Sequence, residues 1–166
     1  MKKLYLVRHA KSSWDDYTLP DEKRPLNSRG KRDAPVMAGV LTRKAPELAW
    51  LVSSPAKRAY TTAKVFAKDL GLTKEKLNRD ARLYHASAHQ IMHVIKETDD
   101  TIDEVAVFGH NPGMTDFLNR YTDGYVDNIP TCGLAIIHFD VEKWSGSDSK
   151  PGKLVEFLYP KMLGLF

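Results

Sequence analysis

The sequence is poor in cysteine, with Cys132 the only residue of this type among 166. One thiol cannot form an internal disulfide, which agrees with a reducing compartment. A cysteine-based phosphatase would also place an arginine six positions after its nucleophile, but that residue is His138 here. Cys132 is therefore interpreted as a structural residue.

Long apolar runs are missing as well. Runs such as LYLV and LAII are much shorter than the roughly 20 residues that a membrane-spanning helix needs. Residues 1–3 lead directly into a strand-like run, without the apolar stretch and cleavage site of a signal peptide. We therefore expect a cytoplasmic protein that has no membrane partner.

Signatures of nucleotide and metal cofactors are also absent from the sequence. There is no glycine loop ending in Lys and Ser or Thr for ATP, and no dinucleotide fingerprint of three spaced glycines. No Asp-x-Asp pair supports a magnesium-dependent aspartyl-phosphate phosphatase. The sequence predicts neither a cofactor nor a metal ion.

Charges of the two signs are interleaved along the chain. There are 25 basic and 21 acidic residues, giving a formal net charge of +4 and a pI of about 9.1. No run of Lys or Arg alternates with aromatic residues, so a nucleic-acid partner is not expected. The modest positive charge suits an anionic small substrate or a phosphoprotein.

Short apolar runs alternate with helical patterns along the chain. The runs are LYLV (4–7), AWLV (49–52), VAVF (105–108) and LAIIHF (134–139), followed after a turn-rich link by LVEFLY (154–159). So short a link favours an antiparallel hairpin, because a parallel return needs a long crossover. The pattern predicts a single α/β domain over residues 1–166, a three-layer α/β/α sandwich whose mostly parallel sheet has an antiparallel edge strand.

Helix signals lie between these runs. Ser54 as N-cap and Pro55 as first residue predict a helix that continues to Leu70. A second helix is predicted over about residues 29–44, with Pro35 either kinking it or delaying its start. A third helix is predicted to begin at the capping box of Ser87 and Gln90. A fourth is predicted to follow Pro112.

Three predicted strands end in side chains that can bind phosphate. The first is followed by Arg8 and His9, the second by SSPAKR with Arg58, and the third by His110 and Asn111 after a glycine. Each alone is commonly a solvated loop residue. Because ligands of parallel α/β sheets bind beyond the carboxyl ends of the strands, we expect the set to meet at one edge and form a site.

The ionisation of these side chains favours phosphoryl transfer. Arg8 and Arg58 stay charged and bind phosphate oxygens through two N–H groups at once. These cations lower the pKa of His9 and keep its imidazole neutral and nucleophilic. His9 can then attack phosphorus in line and form a phosphohistidine that water hydrolyses, while His110 donates to an equatorial oxygen.

Several motifs carry a family resemblance. LVRHAKSSW, LNSRG, SSPAKRAYTTA and FGHNPG, in this order over residues 4–113, resemble the histidine phosphatase superfamily, also called the phosphoglycerate mutase-like family. RHAKSSW, DEKRPLNSRG, LYHAS, GHNPG and PTCGLA are most similar to its small SixA-like phosphohistidine phosphatase branch. The resemblance implies a phosphoglycerate mutase-like fold. It also implies His9 as the phosphorylated nucleophile, Arg8 and Arg58 as phosphoryl ligands, and His110 as the residue that completes the pocket.

Two positions near the nucleophile depart from the family pattern. Ala10 replaces the glycine that usually follows the histidine, and Asp15 stands where the family often has asparagine. A carboxylate repels phosphate, so Ser12 is the expected contact instead. Asn111 is the other expected substrate-binding residue.

The general acid of many family members is missing. They carry glutamate in a Leu-x-Glu stretch between the second arginine and the second histidine, where this chain has Leu83, Tyr84 and His85. Either His85 supplies the proton or no strong acid is used. Because an imidazole leaving group needs less protonation than an alkoxide, the hypothesis is a protein phosphohistidine phosphatase.

Other interpretations stay open. The chain could be a small-metabolite phosphomonoesterase of the same superfamily, a mutase, or a non-catalytic module that binds a phosphorylated ligand. His85, His89 and His93 are spaced like a metal-binding stripe, but the capping box at Ser87 leaves His85 before the helix, so no metal site is expected there. The sequence does not indicate an oligomeric state.

Overall fold

The computed structural model describes residues 1–164, and the last two residues of the predicted domain, Leu165 and Phe166, lie outside the described residues. That residues 1–166 form one domain stays a prediction. The strands are β1 (Lys2–Arg8), β2 (Leu51–Ser53), β3 (Leu77–Arg79), β4 (Glu104–Gly109), β5 (Leu134–Phe139) and β6 (Lys153–Leu158). The helices are α1 (Ser28–Lys44), α2 (Lys57–Asp69), α3 (Ala88–Lys96) and α4 (Gly113–Tyr121).

Two apolar cores lie on opposite faces of the sheet, because side chains alternate along a strand. Tyr5 and Val7 of β1 pack in the core beneath α1 and α2, together with Phe66. Leu4 and Leu6 pack in the core beneath α3 and α4. Burial of each large apolar side chain contributes about 1.5–3 kcal/mol. The predicted three-layer α/β/α sandwich is confirmed.

The sheet is mixed, with strand order β3-β2-β4-β1-β5-β6. The first four strands in this order are parallel, and the hairpin between β5 and β6 is antiparallel as predicted. The strand that runs against the others is β5, however, so the edge strand β6 points the same way as β1. The three-residue strand β3 was not predicted.

The loop before β5 explains this reversal. After α4 the chain returns to the carboxyl end of β1, where the Gly133 carbonyl accepts a hydrogen bond from the Arg8 amide at 3.1 Å. The Cys132 amide likewise donates to the His9 carbonyl at 3.0 Å. β5 therefore starts at the edge where β1 ends, and it can pair with β1 only in the opposite direction.

The helix boundaries differ from the predictions mainly at α2. Its N-cap is Ala56, and no side chain caps it, so the prediction of Ser54 as the cap is wrong. In α1 the side chain of the N-cap Asn27 accepts a hydrogen bond from the Gly30 amide. Pro35 lies inside this helix, so the alternative prediction that the proline delays the start of the helix is wrong. The capping box before α3 and the start of α4 after Pro112 are confirmed.

Membrane insertion was tested only on the described residues. Within residues 1–164, no helix is both long and apolar enough to cross a membrane.

Candidate active site

The ends of β1 and β4 bring two histidines together. These parallel strands pair up to Arg8 opposite Gly109, so the next residue of each chain segment, His9 and His110, leaves the sheet at the same point. The His9 amide donates to the Gly109 carbonyl at 3.1 Å, and the two imidazole rings lie 5.2 Å apart between centroids. The expected meeting of the two histidines at one sheet edge is seen in the structure.

His9 is held as a neutral imidazole with one defined tautomer. Its Nδ1 lies 2.7 Å from the Ala10 carbonyl oxygen, which can only accept, so Nδ1 carries the proton and Nε2 keeps its lone pair. Burial lowers the pKa of His9 to about 4; the bond to Ala10 opposes the shift, and the charges of Arg58, Arg8 and Arg24 add to it. Near neutral pH the ring therefore has the free lone pair that a nucleophile requires.

Arg58 is a buried cation and Arg8 a half-buried one, and each has a donor group without a partner among the described residues. Arg8 Nη1 donates to the Ile129 carbonyl at 2.9 Å, and Arg58 donates to the carbonyl and carboxylate of Asp21 at 2.7 and 2.9 Å. The Nε groups of both arginines are buried without a hydrogen-bond partner among the described residues. Because a buried unpaired donor is costly, these two groups indicate a site built for an anion.

Ser54 orients the second histidine. Its Oγ accepts from the Ala56 amide at 3.2 Å and lies 2.8 Å from His110 Nε2. The hydroxyl has one proton and two acceptor sites, so this contact orients the His110 ring in either tautomer. Burial and the neighbouring charges of His9 and Arg58 lower the pKa of His110 to about 3. Nδ1 is buried and unpartnered among the described residues, like the arginine Nε groups.

The remaining predicted site residues lie nearby but have different surroundings. His85 is exposed, with φ of +55°, and its ring lies 6.5 Å from that of His110. Ser12 is buried and its Oγ accepts from Arg24 Nη1 at 2.9 Å. The Asn111 amide is fully engaged by protein groups, since it donates to Asn128 and Ile129 and accepts from the amide and hydroxyl of Thr115. These contacts fix the loop that follows His110, and a substrate-binding role for Asn111 stays a prediction.

Comparisons with known proteins agree with this geometry. The family model described as "Histidine phosphatase superfamily (branch 1)" matches residues 4–85, and the fold matches that of solved members. The chain belongs to the histidine phosphatase superfamily. It is accordingly a phosphatase that acts on phosphate-bearing substrates.

Among the solved structures, the phosphatase is similar to SixA from Agrobacterium tumefaciens, with a TM-score of 0.80 and 25% identity over 96% of this chain and 98% of that one. It is also similar in fold to the protein histidine phosphatase SixA complexed with tungstate, with a TM-score of 0.82 and 20% identity over 97% and 99% of the two chains. An uncharacterised chloroplastic protein of Arabidopsis thaliana is 28% identical over 155 residues, which cover 86% of this chain and 69% of that protein. The phosphatase is thus SixA-like in fold and length.

Three residues of the phosphatase site were not predicted from the sequence: Asp21, Arg24 and Tyr84. The Asp21 carboxylate accepts from the Tyr84 hydroxyl at 2.5 Å, from Arg58 and from Arg24. Burial by itself would raise the pKa of Asp21, but these hydrogen bonds and the Arg58 charge hold it well below its usual range. The sequence signals were the motifs of the family resemblance: DEKRPLNSRG contains Asp21 and Arg24, and LYHAS contains Tyr84.

Arg24 is a third cation beside the nucleophile. It is buried, it contributes to the low pKa of His9, and its guanidinium lies 3.5 Å from the centre of the exposed Trp14 ring. Such a stacked pair stabilises the arginine by about 0.5–2 kcal/mol. Trp14 therefore holds Arg24 in place from the solvent side.

The motifs LNSRG and GHNPG each end in a glycine that the structure requires. A Cβ on Gly30 would lie 2.2 Å from the Lys11 carbonyl oxygen, in the loop that follows His9. A Cβ on Gly113 would lie 2.0 Å from the Ala86 carbonyl oxygen, next to His85. Neither position leaves room for a side chain, so both glycines allow a helix start to pack directly against a site loop.

Metal ligands are not assembled in the part of the chain that the structure describes. No group of three or more His, Cys, Asp or Glu side chains there could hold a metal ion. His93 Nε2 instead lies 3.1 Å from Glu97 on the helix surface, which accounts for one member of the histidine stripe.

Proposed function

We propose that the phosphatase hydrolyses phosphohistidine, on a protein, through a covalent phosphohistidine intermediate on His9 and without a metal ion. The observation that carries the proposal is the state of His9: a neutral ring whose Nδ1–H is bound by Ala10 and whose Nε2 lone pair is free beside three guanidinium groups. Arg8 and Arg58 supply the cations that a metal would supply in other phosphatases.

The reaction has two balanced steps. In the first, the His9 Nε2 lone pair forms a bond to phosphorus while the bond from phosphorus to the substrate imidazole breaks, and the leaving nitrogen takes the electron pair and a proton from His85 or from water. In the second, water attacks phosphorus, the electron pair of the broken bond returns to His9 Nε2, and inorganic phosphate leaves with the oxygen and the protons of the water. His110, with its proton on Nδ1, and the Nε–H groups of Arg8 and Arg58 donate to the phosphoryl oxygens as charge develops.

The proton available to the leaving group supports phosphohistidine as the substrate. The carboxylate of the site, Asp21, cannot donate a proton near neutral pH, because Tyr84, Arg58 and Arg24 bind its charged form. Burial and that same carboxylate raise the pKa of Tyr84 to about 12. His85, whose Nε2 lies 4.0 Å from Asp21, is then the remaining donor. A site with so weak an acid suits an imidazole leaving group better than an alkoxide.

A groove beside His110 has room for that leaving group. Its volume is about 380 Å³, and its lining includes His85, Ser87, Gln90 and Asp116. A phosphohistidine side chain lying in this groove would place its ring next to His85 and its phosphorus between His9 and His110.

The test is a panel of substrates at equal phosphate concentration, with and without EDTA. Its members are a phosphohistidine peptide, phosphoserine and p-nitrophenyl phosphate. The proposal predicts the highest kcat/KM for the phosphohistidine peptide, unchanged by EDTA. Efficient hydrolysis of the esters with an intact phosphohistidine peptide would instead support the small-metabolite phosphomonoesterase, and binding without release of phosphate would support the non-catalytic module.

His85→Ala tests whether His85 donates a proton to the leaving group or only shapes the site. Since a general acid contributes about a hundredfold or more to expulsion of an alkoxide, residual ester hydrolysis should fall by that order. Phosphohistidine hydrolysis should change by less than about threefold, because its leaving group needs little protonation. Equal losses on both substrates would show that His85 only shapes the site.

The proposed location is the cytoplasm. It rests on the single thiol of the chain, Cys132, which is free and buried. Burial raises the pKa of this thiol, so it is not a nucleophile.

A further inference from the structure

A second surface of the molecule carries unpaired positive charge next to an apolar floor. We call it the lysine groove: its cations are Lys64, Lys68 and Lys74, and its floor is formed by Ala67, Leu72 and Leu77. The cavity has a volume of about 370 Å³, enough for one or two apolar side chains. It lies along α2 and is separate from the groove beside His110.

The charge of the lysine groove is not neutralised within residues 1–164. None of its three lysines forms an ion pair with a described residue, and no carboxylate lines the cavity. Two acidic residues neighbour these lysines in the sequence. Asp69 accepts a hydrogen bond from Thr42, and the pKa of Glu75 is lowered by its hydrogen bond with Thr73 and less strongly by the charges of Lys76 and Lys74, without an ion pair to either. Three like charges around an apolar floor are complementary to a segment that carries both carboxylates and an apolar side chain.

The lysine groove and the phosphatase site both use residues of α2. Arg58 lies in the first turn of this helix, and Tyr60, two residues later, lines the end of the groove nearer the site. At a rise of about 1.5 Å per residue, Lys64 and Lys68 lie about 9 and 15 Å from Arg58 along the axis. One extended segment of a bound protein could therefore reach both the phosphatase site and the lysine groove.

We propose that the lysine groove docks an acidic segment of the phosphorylated protein substrate, with an apolar side chain seated on its floor. This proposal rests on the proposed function and names a feature of its substrate: carboxylates about five residues from the phosphohistidine. An extended chain of about 3.3 Å per residue needs this number of residues to span about 15 Å.

Nucleic acid fits the lysine groove less well than an acidic segment does. The one aromatic ring of the groove, Tyr60, is already in contact with the cations of Arg79 and Lys64, at 4.1 and 5.4 Å, so it is not open for base stacking.

The experiment compares two phosphohistidine peptides of equal length. One has glutamates and a leucine beginning five residues from the phosphohistidine, and the other has glutamines in place of the glutamates. For the variant Lys64→Glu/Lys68→Glu we expect kcat/KM on the acidic peptide to fall at least about tenfold, through KM, at low salt. The glutamine peptide should change by less than about twofold, because it has no carboxylates to pair with the lysines, and so should p-nitrophenyl phosphate, because it is too short to reach them.

The matched control is Lys143→Glu/Lys161→Glu. Both residues are exposed and lie outside the lysine groove, so this variant has the same net charge but should treat the two peptides as the wild type does. A peptide with lysines in place of the glutamates should prefer the charge-reversed groove. Equal losses on both peptides, or equal losses in the control variant, would overturn the proposal.

Binding of the unphosphorylated acidic peptide, followed by fluorescence anisotropy, keeps the two proposals distinguishable. If the wild type hydrolyses no phosphohistidine, the proposed function fails, but loss of peptide binding in Lys64→Glu/Lys68→Glu alone would still support the groove. Equal peptide affinity in the wild type and both variants contradicts it. So does lysine-dependent binding of a single-stranded oligonucleotide without binding of the acidic peptide.

Discussion

The hydrogen bonds of two histidines determine which ring atoms the candidate site leaves free. The Ala10 carbonyl takes the Nδ1–H of His9 and leaves its Nε2 lone pair free, while Ser54 binds Nε2 of His110 and leaves its buried Nδ1 without a partner among the described residues. In the proposed mechanism the first ring is the nucleophile and the second is a donor to the phosphoryl group. The difference comes from a backbone carbonyl and a hydroxyl, and not from the histidines themselves.

Ser54→Ala tests the orientation of His110. Loss of a hydrogen bond of about 1–1.5 kcal/mol should let the His110 ring leave its orientation, and kcat should fall about tenfold. Steady-state kinetics on the phosphohistidine peptide measure this kcat. Ser53→Ala is the matched control, because Ser53 is equally buried but its hydroxyl donates to the Ser54 carbonyl and does not contact His110. Equal effects of the two substitutions would contradict a role for Ser54 in orienting His110.

Asp21→Ala tests whether this carboxylate positions the arginines. Without it, Arg58 and Arg24 each lose one charge-assisted hydrogen bond, so KM for phosphorylated substrates should rise about tenfold or more. The Asp21 carbonyl still accepts from Arg58, which limits the effect. Glu22→Ala is the control: Glu22 is exposed and forms no ion pair with a described residue, so its removal should leave KM unchanged. A normal KM in Asp21→Ala would show that Arg58 needs no such support.

His9, Arg8, Arg58 and His110 were predictable because each follows a strand, and parallel strands bring their carboxyl ends together. Asp21 was not, because its contact with Arg58 spans 37 residues and is made by a loop whose path has no periodic pattern. The hydrogen bonds that occupy the Asn111 amide come partly from residues after α4, which no local motif reveals. Chemistry at element ends could thus be anticipated, whereas loop-to-loop contacts could not.

Among the helices and strands, the positions of glycine matter most to the site. Gly30 and Gly113 each stand where a helix start touches a loop that carries a site residue, and a methyl group would collide with backbone oxygen in both cases. The apolar runs predicted all strands except β3, whose three residues are too few to show a pattern. The direction of β5 was not predictable from its own residues, because the loop before it decides where the strand begins.

Gly113→Ala should displace the loop of His85 and Ala86. Overpacking of this kind costs about 1–3 kcal/mol, and the start of α4 shifts together with the groove beside His110. We expect a lower free energy of unfolding in urea and a lower kcat. In the control Gly39→Ala, the new Cβ would lie 3.4 Å from the flexible end of Arg43 in a helix interior, so stability should be unchanged or higher. If Gly113→Ala had the free energy of unfolding and the kcat of the wild type, the loop would accommodate the methyl group without loss of stability.

For the whole molecule, the buried histidines link folding to pH. The pKa of His9 is lowered by burial from 6.5 to about 4, and that of His110 to about 3, while the partly buried His138 is lowered as well. Above pH 6.5 these rings are neutral in both the folded and the unfolded states. Between pH 6.5 and 4 the unfolded chain binds more protons than the folded one, so stability must fall as the pH falls.

The variant His9→Asn isolates one of these contributions. Each histidine that is protonated only in the unfolded state lowers the free energy of unfolding by up to about 1.4 kcal/mol per pH unit. As the pH falls from 6.5 to 4, the free energy of unfolding of the wild type should therefore decrease relative to that of His9→Asn. Above pH 7 the difference between the two should be constant. Urea unfolding at each pH measures it. A difference independent of pH would mean that His9 is not buried as a neutral ring.

The central claim is that His9 Nε2 takes up phosphorus covalently. Brief incubation with a ³²P-labelled phosphohistidine peptide, an alkaline quench and peptide mapping measure this directly, because a phosphoramidate bond survives alkali and is lost in acid. The account predicts acid-labile label on His9 at Nε2, and none in His9→Ala, whose phosphohistidine hydrolysis should also be abolished. Label on another residue, or hydrolysis at the wild-type rate by His9→Ala, would contradict it.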